Sequence, residues 1–163
     1  MLGGSAAGKH SLFERFLYDK FRPIKNCIIG ADFNTKKMNI NGKDIKAQIW
    51  ITSGNENYRP MLPFYLKGVD GIILVYDIIE ENSFKEMKEW FEELKKHVDS
   101  KVIITLVGNK CDLESQRIIS YETGKKFAEE NNFFSFEETS AMNSINVEKV
   151  FNDILKKIVE KKL

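Results

Sequence analysis

Two apolar runs stand out in the pattern of hydrophobic and polar residues. Residues 71–76 and 102–107 are continuous, apolar and rich in β-branched side chains, which is typical of parallel strands that are covered on both faces. Between them, apolar residues recur every three or four positions from Phe84 to Val98, which predicts an amphipathic helix. The pattern therefore predicts two parallel strands joined by a crossover helix.

A hairpin is predicted upstream of these strands. Asn41-Gly42 separates two strand-like stretches, residues 32–40 and 45–51, and this dipeptide is a strong signal for a tight turn between antiparallel strands. We therefore expect one edge of the sheet to be antiparallel.

The C-terminal half continues the alternation of helices and strands. Residues 121–131 and 147–162 have helical periodicity, and residues 133–137 are predicted to form a short last strand between them. Together the elements predict an α/β fold with a doubly wound, mostly parallel sheet. No linker or internal repeat is visible, so we expect residues 1–163 to form a single domain.

Charge and cysteine content exclude several classes of function. Twenty-five Lys and Arg residues against twenty-four Asp and Glu give a net charge of +1, which provides no electrostatic case for binding nucleic acid or an anionic bilayer. Cys27 and Cys111 lack the spacing of a zinc site or a disulfide framework. This use of cysteine fits a reducing cytosol, so we expect a cytoplasmic protein. No apolar run is long enough to span a membrane, so we also expect the protein to be soluble.

A phosphate-binding motif lies at the start of the chain. Residues 3–9, Gly-Gly-Ser-Ala-Ala-Gly-Lys, match a loop whose backbone N–H groups cradle phosphates while the lysine neutralises the β- and γ-oxygens. The alternative is a glycine-rich loop that opens an ordinary helix. His10 follows the lysine, where a Ser or Thr hydroxyl would ligate Mg²⁺.

The strand before this loop is expected to be truncated. A phosphate loop normally follows a buried strand, and only Met1 and Leu2 precede Gly3. A missing or misassigned N-terminal segment explains this better than a fold that has lost its middle strand.

A second motif indicates which base the site binds. Asn109-Lys110-Cys111-Asp112 follows the strand predicted at residues 102–107, at the edge where open α/β sheets bind ligands. A carboxylate there can accept two hydrogen bonds from the amino and imino groups of guanine, a pair of donors that adenine lacks. Residues 139–141, Thr-Ser-Ala, are suited to present a backbone N–H to the carbonyl oxygen of the base.

At this point the chain resembles the Ras-like small GTPases, and within them the Rab branch, over essentially its whole length. The stretches that carry the resemblance are residues 29–33 (IGADF), 46–50 (KAQIW), 65–69 (YLKGV), 74–77 (LVYD), 107–113 (VGNKCDL) and 138–141 (ETSA).

The resemblance implies GTP or GDP as the ligand. It makes Lys9 the phosphate lysine, assigns the guanine to Asn109 and Asp112, packs Phe21 against the base and lets the Gly54 N–H contact a γ-phosphate. Packing in the core is the alternative for Phe21. The full nucleotide-binding set that it implies is Gly4, Ser5, Ala6, Ala7, Gly8, Lys9, His10, Ser11, Phe21, Gly54, Asn109, Lys110, Asp112, Ser140, Ala141 and Met142, the last in place of a lysine.

Departures from the family concern the metal and the attacking water. His10, Ile28 and Ile51 stand where the family has two hydroxyls and an aspartate around Mg²⁺, and Asn55 replaces the water-positioning glutamine. Isoleucine offers no ligand to Mg²⁺, so we expect the metal to be absent or weakly held and no catalytic residue to be intact.

Two alternatives remain at the metal positions. The first is a metal that is carried by phosphate oxygens and water alone, or that His10 ligates. The second gives His10 another role, either as a protonated group near the β-phosphate or as an ordinary surface histidine.

An aromatic surface is the expected site for protein partners. Phe33, Trp50 and Tyr65, together with Ile29, resemble the switch surface that Rab proteins present to effectors and regulators. The alternative is that these aromatic side chains pack inside the hairpin and the helix that follows it.

The favoured hypothesis is a Rab-like protein that binds guanine nucleotide and partner proteins in vesicle and membrane traffic, with hydrolysis absent or very slow. An active GTP-hydrolysing switch and a nucleotide-free scaffold are the alternatives. We expect a monomer that is peripheral on endomembranes only through a lipidated tail, for which this sequence has no C-terminal cysteine.

Overall fold

The computed structural model describes residues 1–22 and 29–163. The strands in these ranges are β1 (Leu2–Gly3), β2 (Ala31–Ile40), β3 (Lys43–Thr52), β4 (Gly71–Asp77), β5 (Ile103–Asn109) and β6 (Ser135–Thr139). The α-helices are α1 (Lys9–Tyr18), α2 (Leu62–Tyr65), α3 (Glu81–Leu94), α4 (Tyr121–Glu130) and α5 (Val147–Lys161), and 3-10 helices cover Glu56–Met61 and Cys111–Gln116. None of the helices in the described ranges is both long enough and apolar enough to cross a membrane.

Four of the strands form a parallel sheet in the order β1-β4-β5-β6, and β2 and β3 form an antiparallel pair. Backbone hydrogen bonds join this pair to the start of the chain, because the Met1 amine donates to Trp50 O at 2.6 Å and Thr52 N donates to Met1 O at 3.3 Å. The expected fold class, a mostly parallel sheet with an antiparallel edge, is confirmed.

Strand β1 is only two residues long. Leu2 pairs with Leu74 and Gly3 pairs with Val75, both in parallel register. The short pairing is still enough to place the glycine-rich loop that follows Gly3 at the carboxyl end of β4, next to the motif after β5.

Hydrophobic side chains cover both faces of the sheet. On one face, α1 and α5 pack their apolar sides around Phe16 and Phe151, whose rings stack with centroids 4.1 Å apart. On the other face, α3 contributes Trp90 and Phe91 to a second cluster. The continuous apolar runs of β4 and β5 are therefore explained by burial on both sides.

Two element bounds differ from the prediction. Phe133 and Phe134 precede the last strand, because Phe133 N donates to Ala128 O to close α4 and the Phe133 ring packs edge-on against Phe91 at 4.9 Å. Helix α3 begins at Glu81 and ends at Leu94, earlier than the periodicity from Phe84 to Val98 indicates. Apolar periodicity marks the buried side of an element, whereas hydrogen bonds decide where it ends.

Candidate nucleotide site

The glycine-rich loop connects β1 to α1. Gly8 is the N-cap of α1 and has φ 90°, a left-handed conformation that favours glycine. Ala7 N donates to Gly4 O at 3.2 Å, which folds the loop back on itself. The first N–H groups of a helix have no partner within it, so α1 directs donors and the positive end of its dipole toward this loop, an arrangement that suits an anion.

Lys9 is the buried cation of this loop. Its Nζ donates to Gly3 O at 2.7 Å and to Gly4 O at 2.6 Å, and the residue is only 4% exposed. Burial lowers the pKa of Lys9 to about 8, and the negative charge of Glu86 acts in the opposite direction. The lysine is therefore held inside the loop that is expected to bind phosphate.

The motif after β5 braces the loop from the side. The Asn109 side chain is buried, donates from Nδ2 to Ala7 O at 3.0 Å and accepts from Thr139 Oγ1 at 3.0 Å. One residue on, Lys110 Nζ donates to Ala6 O at 3.1 Å and pairs with the buried carboxylate of Asp77 at 2.6 Å. Side chains at the ends of β4, β5 and β6 therefore fix the backbone of the loop.

Asp112 lies beside the segment that follows β6. Its Oδ1 accepts from Ser140 Oγ at 2.7 Å, which orients the carboxylate. From α1, Arg15 donates to Ala141 O at 2.8 Å and to Met142 O at 3.0 Å. These bonds hold the two segments expected to recognise guanine next to each other.

The two apolar side chains expected around the base are open to solvent. Phe21 is 36% exposed and Met142 is 57% exposed. Packing of Phe21 in the core, the alternative interpretation, is therefore wrong.

The positions around the expected metal do not fit Mg²⁺. Ile51 is fully buried in the apolar cluster that also contains Ala7 and Leu12, because β3 alternates inward and outward side chains at this point. His10 is partly buried, and its ring centroid is 6.4 Å from that of Phe13. Mg²⁺ prefers oxygen ligands in octahedral geometry, and neither side chain supplies an oxygen.

Of the other two substituted positions, only Asn55 lies within the described residues. In residues 1–22 and 29–163, no group of three or more His, Cys, Asp or Glu side chains could hold a metal ion. Ile28, expected to replace the switch threonine, lies outside the described residues. The Asn55 side chain accepts from Asn57 N at 2.9 Å and caps the 3-10 helix that follows it.

Gly54 packs directly on the phosphate loop. A Cβ at this position would lie 2.1 Å from Ser5 N and 2.2 Å from Gly4 C. Only glycine allows the segment after β3 to approach the loop backbone so closely. This proximity is compatible with the expected donation from Gly54 N to a terminal phosphate.

The aromatic residues of the expected partner surface lie together. The Phe33 and Trp50 rings stack with centroids 4.6 Å apart because β2 and β3 pair these two residues directly, and Tyr65 lies 6.5 Å from Trp50. Phe33 is 47% exposed and Trp50 is 37% exposed, and Ile29 is also exposed. The alternative interpretation, packing in the interior, is therefore wrong for Phe33 and Trp50, whereas Tyr65 is half-buried.

Three polar residues of the site are missed by sequence reasoning. They are Asp77, which pairs with Lys110, Arg15, which holds the segment after β6, and Glu86, which lies against Gly4. Asp77 ends a buried strand at the edge of the sheet where ligands bind, which is a usable signal. Arg15 and Glu86 are charged residues on amphipathic helices, where such residues usually face solvent, so no local signal marks them.

Comparison with known proteins identifies the family. The Ras family model matches residues 1–160. "Ras-related protein RABA4b" of Arabidopsis thaliana is 44% identical over 158 residues, which cover 97% of this chain and 70% of that protein. "Ras-related protein RABA5a" of the same plant is 45% identical (97% and 71% covered), and "Ras-related protein RGP1" of Oryza sativa subsp. japonica is 42% identical (97% and 70% covered). The chain therefore belongs to the Ras family of small GTPases, in its Rab branch.

Proposed function

We propose that this chain binds GTP and GDP, holds Mg²⁺ weakly or not at all, and acts through protein partners in membrane traffic with hydrolysis that is absent or very slow. Family membership implies the guanine nucleotide and the traffic role. The weak metal site and the slow hydrolysis are inferred from the residues of this chain. We further propose that the protein acts as a cytoplasmic monomer at endomembranes.

The contrast between the two halves of the site supports this function. On the base side, Asn109 accepts a hydrogen bond from Thr139 at the end of β6, and Asp112 accepts one from Ser140, the next residue. On the metal side, Ile51 is fully buried among apolar side chains. A site of this kind can recognise guanine while offering little to a divalent cation.

The position that would orient the attacking water is also altered, which supports slow hydrolysis. Phosphoryl transfer depends mainly on positioning and on neutralising charge in the transition state. Asn55 is one methylene shorter than the glutamine it replaces, and its side-chain oxygen is engaged in capping the helix at Glu56–Met61. Lys9 and the loop backbone are therefore the main groups left to stabilise the transferring phosphoryl group.

Nucleotide content and single-turnover hydrolysis test this function together. Denaturing the purified protein is expected to release GDP or GTP. Bound GTP is expected to be hydrolysed at least about 100-fold more slowly than by a typical Ras-family protein assayed in parallel, since the loss of one positioned group alone costs this much. EDTA is expected to change the nucleotide Kd by less than about threefold, because no side-chain shell holds the metal.

Two outcomes would contradict this function in different ways. Rapid hydrolysis that EDTA stops would show a working metal site and an active switch. A protein that releases no nucleotide and also rejects added GDP would be a nucleotide-free scaffold. Lys9→Ala serves as the control for specific binding, because it removes the buried cation of the loop.

Partner binding is proposed to depend little on which nucleotide is bound. Arg59 Nη2 pairs with Glu89 Oε2 at 2.7 Å, and its guanidinium lies 5.3 Å from the centre of the Trp90 ring. Leu62, at the start of α2, is fully buried. Contacts within the protein therefore tie the segment that carries Tyr65 to α3.

Truncation of the aromatic surface tests this part of the function. Trp50→Ala is expected to weaken binding to Rab-type effector domains by about 30-fold, since a central aromatic anchor contributes about 2 kcal/mol or more. Tyr121→Ala, which removes an exposed aromatic ring from α4, is the matched control and is expected to have no effect. Calorimetry on the wild-type protein tests the dependence on nucleotide. The Kd for the effector domain should differ by less than about threefold between the GTP-bound and the GDP-bound protein. A strong preference for the GTP form would refute the proposed independence.

A further inference from the structure

The carboxylate of Glu86 lies against the phosphate loop. Glu86 is a partly buried residue of α3, and its Oε1 accepts from Asn82 Nδ2 at 3.1 Å. A Cβ at position 4 would lie 1.8 Å from Glu86 Oε2 and 3.0 Å from its Cδ. The carboxylate therefore occupies space that a larger residue at position 4 would take from it.

This carboxylate shares its surroundings with the phosphate lysine. Lys9 Nζ donates to the carbonyls of Gly3 and Gly4, and Gly4 is the residue that Glu86 approaches. The negative charge of Glu86 raises the pKa of Lys9 against the larger effect of burial. The buried positive charge of the loop is therefore partly compensated by the protein itself.

The other charges near the loop do not compensate for Glu86. Lys110, which also contacts the loop through Ala6 O, is paired with the buried carboxylate of Asp77 at 2.6 Å. His10 and Ile51 offer no oxygen ligands that would hold a divalent cation. Phosphate groups that enter the loop would therefore meet two opposed charges, the Lys9 ammonium and the Glu86 carboxylate, and the carboxylate offsets part of the attraction of the lysine.

We propose that Glu86 is a specificity-determining residue of the nucleotide site, whose charge weakens the binding of GTP relative to GDP. The inference rests on the proposed function, because it assumes that phosphates bind in this loop. Coulomb repulsion grows with the charge of the ligand, and GTP carries one more negative charge than GDP. Repulsion is stronger in a partly buried site than in bulk water, since the effective dielectric constant is lower.

Dissociation constants for GDP and GTP test this proposal. They are measured by calorimetry on the full chain after nucleotide removal, once with EDTA and once with Mg²⁺. In Glu86→Gln, which keeps the shape of the side chain and its bond with Asn82, the ratio of the GTP Kd to the GDP Kd is expected to fall about fivefold or more. Glu92→Gln removes the same charge from an exposed position on α3 and is expected to leave the ratio unchanged.

Each outcome bears on the proposal. A ratio that stays constant in Glu86→Gln would overturn it. In the presence of Mg²⁺, weaker GTP binding by Glu86→Gln than by the wild-type protein would also overturn it, because that result would make Glu86 a metal ligand. Glu86→Ala provides a second test if the glutamine variant is unstable. Wild-type protein that binds neither nucleotide would refute the proposed function. In that case, nucleotide binding by Glu86→Gln would still support the inference about Glu86. If Glu86→Gln also bound no nucleotide, both the inference and the proposed function would be overturned.

Discussion

Asp112→Asn is expected to lower the affinity for GDP and GTP by about 100-fold or more, because charge-assisted hydrogen bonds contribute about 1.5–3 kcal/mol each and two are lost. The asparagine amide can rotate its NH₂ group toward the base. This NH₂ group would then face the N–H donors of guanine, and two donors cannot form a hydrogen bond with each other. Xanthine presents a carbonyl oxygen in place of the amino group of guanine. The variant should therefore bind xanthosine nucleotides in preference to guanosine nucleotides.

The structure makes this substitution a clean test of the base site. Ser140 Oγ bonds to Asp112 Oδ1, and the oxygen of an asparagine side chain can accept the same bond, so folding should be preserved. Competition between labelled GDP and unlabelled xanthosine diphosphate measures the preference directly. Asp44→Asn, at an exposed position in the hairpin, is the matched control. If the Asp112 variant still preferred GTP to xanthosine triphosphate, the assignment of the base site would be wrong.

Asn109→Ala is expected to destabilise the protein and to abolish measurable nucleotide binding. The Asn109 side chain is 1% exposed and joins Ala7 O in the phosphate loop to Thr139 Oγ1 in β6. Its removal leaves a buried carbonyl and a buried hydroxyl without their partner, at a cost of about 1–3 kcal/mol for each group. A total loss of about 2–4 kcal/mol corresponds to a fall in Tm of roughly 5–15 °C for a domain of this size.

Thermal unfolding and nucleotide binding are measured on the same preparation. Asn57→Ala truncates an exposed asparagine and is expected to change the free energy of unfolding by less than about 1 kcal/mol. A saturating concentration of GDP should raise the Tm of the wild-type protein and of the control, and leave the Tm of Asn109→Ala unchanged. If Asn109→Ala kept the stability and the nucleotide affinity of the wild-type protein, the hydrogen bonds of Asn109 would not be what holds the loop in place.

The motifs that depend on local sequence could be predicted from the chain alone. The glycine-rich loop, the Asn-Lys-Cys-Asp motif and the apolar strands are each contiguous in sequence, so that their residue types and spacing can be recognised from short stretches of the chain. The family they indicated, the Rab branch of the Ras-like GTPases, is confirmed by the comparisons. The roles of the individual nucleotide-binding residues stay predictions that the proposed experiments test.

Contacts between distant segments could not be predicted in the same way. Glu86 meets Gly4 across 82 positions of sequence, and Arg15 bonds to Ala141 O over a separation of 126 positions. Each of these charged residues has a helical pattern around it that also suits a solvent-exposed position. The packing of the helices on the sheet decides which of these charged side chains face the site.

The sequence by itself determined the α/β fold class, the family and the types of side chain present at the nucleotide site, since hydrophobic period and short motifs are local properties. Tertiary structure decided which side of β3 faces the core, so that Ile51 is buried and Trp50 is exposed. It also placed a carboxylate beside the phosphate lysine. The physical reason is that burial and electrostatic fields arise from the packing of distant elements, which no local stretch of sequence specifies.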